Sequence, residues 1–438
     1  MKENSVILAT GIIGLAGCGP EGKEIKKPNI VLILADDMGY ECIGAYGNAV
    51  YKTPCLDRLA SEGVRFTQCH ASPLSTPSRV ALMTGKYNFR NYKDFGYLDK
   101  NEKTFANILK EAGYATCVAG KWQLNGKSHP DKYRDWPDST RPFHFGFDEY
   151  CLWNFTEPDK SNRYAKPVVT CNGEKIATDT ADYGEDIFTD FIIRFIDKNK
   201  DKPFMVYYPM ALVHEPFCST PSSPDWNDVS TRFVNDTSYF KDMVAYADKM
   251  VLKLVNHLEK LNLLENTIFI FTGDNGTLNR IYTPMKDGRI IRGDKGNTTD
   301  GGTHVPLIVY YKNHFQKKVS DALIDFPDIL PTLCDMAGVV LPDSFITDGK
   351  SFLPLLEGKN YTEDEFLYLY YSPKWGPWKE KQFIRNKQYK LYSTGEFYHL
   401  EKDLLEKNPI PIEKMTEEEK RIFRKLENEL KKYLQMQK

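Results

Sequence analysis

The chain has 438 residues, 41% hydrophobic and 27% charged, which suits one large domain with a smaller partner and excludes global disorder. Its 58 Lys and Arg nearly balance 60 Asp and Glu, for a net charge of -2. That balance gives no reason to expect a nucleic-acid partner, and an anionic ligand has to be met by a local cluster of cations.

Residues 1–18 read as a targeting segment. Lys2 supplies a thin positive region, 6–15 an apolar stretch, and Leu15-Ala16-Gly17-Cys18 looks like a bacterial lipobox in which Cys18 carries the lipid. A plain secretory signal is the alternative. The stretch is too short for a bilayer span and no other segment is apolar enough, so membrane association is expected only through an N-terminal lipid. The expected location is that of an exported lipoprotein, periplasmic or at the cell surface. The remaining cysteines (Cys42, Cys55, Cys69, Cys117, Cys151, Cys171, Cys218 and Cys334) match no zinc spacing; disulfides and buried thiols both accommodate them.

A polar linker, 19–27, precedes the run 29–35 (NIVLILA), which is short, apolar and unbroken, the pattern of a buried parallel strand. Similar runs lie at 115–119, 204–208, 267–272 and 306–310, with helical patterns at 185–198 and 240–261 between them. This alternation predicts an α/β fold, a mostly parallel sheet covered by helices on both faces. From about Tyr361 the texture changes. Short aromatic runs at 366–371, 382–385, 389–392 and 396–400 predict a small antiparallel sheet, closed by a charged helix over 416–434. The expected division is a catalytic domain, 28–360, and a C-terminal subdomain, 361–438.

Ligands of parallel sheets gather at the carboxyl ends of the strands. Asp36 and Asp37 follow the first predicted strand; Lys121, Trp122 and Gln123 follow the second; His214 follows the third; Asp274 and Asn275 follow the fourth. Read alone, Asp36-Asp37 is a helix cap with an acidic first turn. Together with Asp274 and Asn275 it becomes a set of hard oxygen donors that suits calcium or magnesium.

Between these lies STPSRVALMTG, 75–85, in which Pro77 at a helix start is ordinary by itself. The segment resembles the signature of the formylglycine-dependent sulfatases, (Cys or Ser)-x-Pro-Ser-Arg followed by Thr-Gly. Blocks similar to that family continue through PNIVLILADDMGY, TPCLDRLASEGVRF, GKWQL, GFDEY, TGDNG, KGNTTDGGTHVP and DILPTLCDMAG, and reach FIRNKQYKL and YHLEKDLLEKN near the C-terminus. The resemblance implies an alkaline-phosphatase-like scaffold. It implies that Ser75 is oxidised to formylglycine by a sulfatase-maturing enzyme, and that one Ca2+ ion is held by Asp36, Asp37, Asp274, Asn275 and the group at 75. It further implies that Arg79 steadies the hydrated aldehyde, that Lys121 and Lys295 bind sulfate oxygens, and that His214 protonates the leaving alcohol.

Three positions depart from the family pattern. Gln123 stands where His is usual, and an amide cannot accept a proton near neutral pH; His70 and His304 are candidate replacements for the base that releases sulfate. Ser75 replaces the commoner Cys, as in serine-type bacterial sulfatases or an engineered Cys→Ser protein. Asp300 replaces the usual Glu before Gly-Gly. The expected substrate is a sulfated saccharide, with specificity carried by the stretches 150–166 and 375–378. A phosphodiester or phosphonate hydrolase on the same scaffold, and an inactive sulfated-glycan-binding homologue, are the rival readings. With eight His, none beside Asp274-Asn275, a two-zinc phosphatase is disfavoured.

Overall fold

The computed structural model describes residues 26–157 and 162–437. The expected targeting segment and most of the linker lie outside them. Among the described residues, no helix is long and apolar enough to cross a membrane.

Seventeen strands are described: β1 Asn29–Ala35, β2 Val64–His70, β3 Ala115–Lys121, β4 Glu149–Trp153, β5 Val169–Cys171, β6 Glu174–Ile176, β7 Phe204–Pro209, β8 Thr267–Gly273, β9 Tyr282–Pro284, β10 Ile290–Arg292, β11 His304–Tyr311, β12 Lys318–Ser320, β13 Ile324–Asp325, β14 Leu367–Tyr371, β15 Lys381–Arg385, β16 Tyr389–Tyr392 and β17 Phe397–His399. Eleven of them form one sheet in the order β12-β2-β11-β8-β1-β7-β3-β4-β5-β6, with β13 also on β2. Every residue of β1, β3, β7 and β8 is buried, as their apolar runs require of strands covered on both faces. The two apolar layers lie on opposite faces of β1. Val31 and Ile33 join the helices Gly184–Asn199 and Phe240–Lys260, whereas Ile30, Leu32 and Leu34 join the helices Ser75–Thr84 and Ile329–Met336.

The run 306–310, expected as a parallel strand, lies in β11, which pairs antiparallel with both β8 and β2. A parallel neighbour needs a crossover helix. Residues 274–303 supply only the β9–β10 hairpin and the single turn Asp300–Thr303, so the chain returns reversed. β2 carries no unbroken apolar run to announce it. Cys151 and Cys171, opposite each other on β4 and β5, are joined as a disulfide, whereas Cys42, Cys55, Cys69, Cys117, Cys218 and Cys334 are buried thiols.

Strands β14 to β17 form a second, antiparallel sheet in sequence order, with the helix Glu417–Met436 across it. Thr416 caps that helix by a reciprocal bond with Glu419.

Candidate active site

β1 delivers Asp36 and Asp37 to the carboxyl edge of the sheet, and β8 delivers Asp274 and Asn275 beside them through the parallel β1–β8 register. Asp37 takes a left-handed φ of 57°, which turns its side chain away from the strand path. Its backbone N–H donates to Asp274 Oδ1 at 3.1 Å, and its Oδ1 accepts from Asn275 Nδ2 at 2.9 Å.

Ser75 is the first residue of the helix Ser75–Thr84, all ten residues of which are buried. Its hydroxyl lies 3.3 Å from Asp36 Oδ1 and 3.3 Å from Asn275 Oδ1. Arg79 is one turn further on the same helix face. It donates to Asp274 Oδ2 from Nε at 3.2 Å and Nη2 at 2.9 Å, and from Nη1 to the carbonyl of Lys121 at 2.9 Å. Lys121, the last residue of β3, places Nζ 2.8 and 2.7 Å from the two oxygens of Asp36 and 3.2 Å from Ser75 Oγ. Lys295 Nζ is 2.7 Å from Asp37 Oδ2. Asp36, Asn275 and Lys121 therefore meet at the Ser75 hydroxyl, and Asp37, Asp274, Arg79 and Lys295 join them through this chain of contacts.

The charges act on one another. Burial opposes ionisation of Asp36, yet Lys121, His214, Arg79 and Arg163 hold its carboxyl well below the ordinary range. Burial and the neighbouring Asp36 push Asp274 up to about 6. Burial lowers Lys121 to about 8. Asp36, Asp37 and Asp274 bring one oxygen each within 4.8 Å of one another, an all-oxygen donor set that fits a hard divalent cation.

His214 sits in the turn after β7. Its Nδ1 is 2.6 Å from the carbonyl of Glu215, which leaves Nε2 facing the site, 3.7 Å from Asp37 Oδ2. Burial, then Arg163 and Lys295, hold this imidazole well below its usual value. Two residues missed in the sequence fix the turn. Glu185 accepts from the N–H groups of Ala211 at 2.6 Å and Leu212 at 3.1 Å, and from the Tyr208 hydroxyl. Tyr164 donates from its hydroxyl to the carbonyls of Ala211, at 2.8 Å, and His214. Arg163 was missed as well: Nη1 is 3.3 Å from Asp36 Oδ2, and its guanidinium lies 4.4 Å over the Trp153 ring. It falls inside the stretch 150–166 but carries no motif of its own.

Gln123 also adopts a left-handed φ, 55°, two residues beyond Lys121, and its Oε1 is buried with no protein partner. Neither His70 nor His304 is bonded to the residues around Ser75. His304 is 3.0 Å from Asp300 Oδ2 and 2.9 Å from the Thr67 carbonyl, and it stacks on Tyr40. His70 Nδ1 is 3.4 Å from Thr303 Oγ1. Asp300 in turn meets Arg385 of β15 at 3.0 Å, so this cluster joins the two sheets.

The loop carrying Lys295 is gripped by the second sheet. The Tyr371 hydroxyl donates to the Gly296 carbonyl at 2.9 Å, the Tyr392 hydroxyl is 2.8 Å from Thr298 Oγ1, and Lys390 donates to the Thr298 carbonyl. Gly296, at φ 89°, has no room for a side chain, because a Cβ there would meet the Trp378 ring at 2.1 Å. Trp378 thus packs under this loop, whereas Trp375 is exposed and stacks on Phe95.

A buried hydroxyl at a helix N-terminus, beside a carboxylate cluster and among fixed cations at the edge of an α/β sheet, defines a hydrolase-type site for anionic esters. Residues 28–339 match the family described as Sulfatase, and 293–437 match N-sulphoglucosamine sulphohydrolase, C-terminal. The chain belongs to the sulfatase family. It is 32% identical to an arylsulfatase of Hemicentrotus pulcherrimus, over 78% of this chain and 64% of that one. It is 30% identical to an N-acetylgalactosamine-6-O-sulfatase of Bacteroides thetaiotaomicron, over 82% of this chain and 83% of that one. A solved structure from work on glycosaminoglycan metabolism by Bacteroides thetaiotaomicron superposes with a TM-score of 0.74 at 25% identity, covering 93% of this chain and 99% of that one. A phosphonate monoester hydrolase of Agrobacterium radiobacter shares the fold, with a TM-score of 0.68 at 20% identity over 94% of this chain and 96% of that one.

Proposed function

We propose that this protein hydrolyses sulfate monoesters of a saccharide, with Ser75 converted to formylglycine and one calcium ion held by Asp36, Asp37, Asp274 and Asn275. The observation that carries the reading is the Ser75 hydroxyl, buried and within 3.3 Å of Asp36, Asn275 and Lys121. Asp36, Asp37, Asp274 and Asn275 would hold the calcium ion, which would supply positive charge to acidify the nucleophile and attract the sulfate. A hydrated aldehyde at position 75 supplies two hydroxyls, one to attack sulfur and one whose deprotonation expels sulfate. An ordinary serine lacks the second.

The side chains divide the remaining work. Arg79 fixes Asp274 and the end of β3, and so the frame around position 75. Lys121 donates to the oxygen at 75 and, with Lys295, meets the equatorial sulfate oxygens as charge builds there. His214 gives the Nε2 proton to the leaving sugar oxygen; the negative charge of bound sulfate opposes the cations that otherwise keep this imidazole neutral. Gln123 contributes hydrogen bonds and no proton acceptance.

Export as a lipoprotein through residues 1–18 belongs to the same reading, and a Cys151–Cys171 disulfide is consistent with an oxidising compartment. The N-acetylgalactosamine-6-O-sulfatase relative supports a carbohydrate substrate.

The deciding experiment measures the mass of the Ser75 peptide from protein made beside a serine-type maturase, together with sulfate release from a panel of sulfated saccharides. A peptide lighter by two hydrogen atoms and release of sulfate are expected. Unmodified serine with hydrolysis of phosphodiesters or phosphonates alone would overturn the proposal.

A further inference from the structure

We infer that Arg163 binds a second anionic group of the substrate, a carboxylate or a further sulfate carried close to the ester that is cleaved. The inference rests on the saccharide-sulfatase reading and narrows its substrate class. Three carboxylates, Asp36, Asp37 and Asp274, face four basic side chains, Arg79, Lys121, Arg163 and Lys295, before any metal ion adds its charge. A sulfate monoester brings a single negative charge. The site therefore holds a positive surplus that a more highly charged substrate offsets better.

The four cations are not equivalent. Arg79 is wholly buried and occupied by Asp274 and the Lys121 carbonyl. Lys121 is 2% exposed and touches Ser75, so it belongs to the reacting ester. Arg163 comes from the loop beyond β4, is 13% exposed, and reaches Asp36 through a single 3.3 Å contact from Nη1. Among the described residues that is its one hydrogen bond, although a guanidinium has five N–H donors in a planar fork. The Trp153 ring, 4.4 Å away, holds that plane in place, and the Trp153 Nε1 donates to the carbonyl of Asn162 next to it. Tyr164, on the other side, is bonded to the carbonyls of Ala211 and His214. Arg163 is thus fastened next to the turn that carries His214, the proposed proton donor to the leaving sugar. A preorganised, partly open guanidinium there matches an oxyanion on the sugar itself.

The test compares matured wild-type protein with Arg163→Met and Arg163→Lys. Substrates are monosulfated disaccharides and their counterparts bearing a second sulfate or a uronate carboxylate, which separates the two sources of charge. Wild-type protein is expected to favour a doubly charged member in kcat/KM. Arg163→Met lowers that preference about 10- to 100-fold, and Arg163→Lys restores part of it. A preference within twofold of wild type in Arg163→Met overturns the inference. Calorimetric binding of the same saccharides to protein with unconverted Ser75 tests it without turnover; equal losses for singly and doubly charged ligands assign Arg163 to Asp36 alone and also overturn it. Absence of any sulfate release by matured wild-type protein would instead sink the sulfatase reading.

Discussion

Arg79 directs two donors, Nε at 3.2 Å and Nη2 at 2.9 Å, at the same oxygen of Asp274, and both side chains are wholly excluded from solvent. Removing one member of such a pair leaves the other buried and uncompensated, at a cost of about 3–5 kcal/mol. Arg79→Met should therefore lower stability to urea by about that amount as well as abolish turnover. Arg79→Lys, which keeps the charge but loses the fork, should recover part of the stability and little of the activity. Urea unfolding of both variants checks this, and a fully stable Arg79→Met would refute the structural half.

His214 has Nε2 turned toward the site, with Nδ1 occupied by the Glu215 carbonyl. As the proton donor to a sugar oxygen it should matter in proportion to the basicity of the leaving group. His214→Ala is expected to reduce kcat on a saccharide sulfate about 10²- to 10⁴-fold, and much less on an aryl sulfate whose phenolate leaves unaided. Equal losses on the two substrates would remove His214 from that role.

Chelation should destabilise the matured protein, because it removes a ligand expected to bind the folded state at Asp36, Asp37 and Asp274 and not the unfolded chain. Returning calcium at one hundred times its Kd should restore about 2.7 kcal/mol, read as a rise in Tm. Asp274 is pushed up to about 6, so calcium affinity should weaken as the pH falls below that value. A Tm indifferent to both chelator and calcium would argue against the metal.

Burial raises the Glu185 carboxyl to about 7 from its ordinary 4.5. Between those values the folded protein binds more protons than the unfolded chain, so stability falls as pH rises through that window. The contribution is fully present below about pH 4.5, is lost by about pH 7 and amounts to about 3 kcal/mol. Glu185→Gln should flatten this slope. Unfolding of the two proteins across that pH range checks it, and parallel curves would count against the assignment.

The central strands and the site residues at their ends were legible because burial on both faces demands unbroken apolar runs, and because chemistry at the sheet edge interrupts them with Asp36, Lys121 and Asp274. Strand direction was not legible. The run 306–310 is as apolar in β11, reversed, as it would be in a parallel strand; only the missing crossover helix distinguishes the two. Glu185 read as the start of an amphipathic helix, since its partners, Ala211 and Leu212, are fixed by tertiary packing and leave no local pattern. Arg163 and Tyr164 were hidden for the same reason. They act from a loop, where spacing carries no period.

The grip of Tyr371, Lys390, Tyr392 and Trp378 on the segment around Lys295 bears on how this protein can be re-engineered. A chimaera that grafts the last seventy or so residues of a relative would exchange more than an outer module. It would reset the position of the Lys295 ammonium, which contacts Asp37 and which the proposed mechanism sets against the reacting ester. Donor and recipient would have to be matched at the Gly296–Trp378 contact before their surface loops could be compared for selectivity.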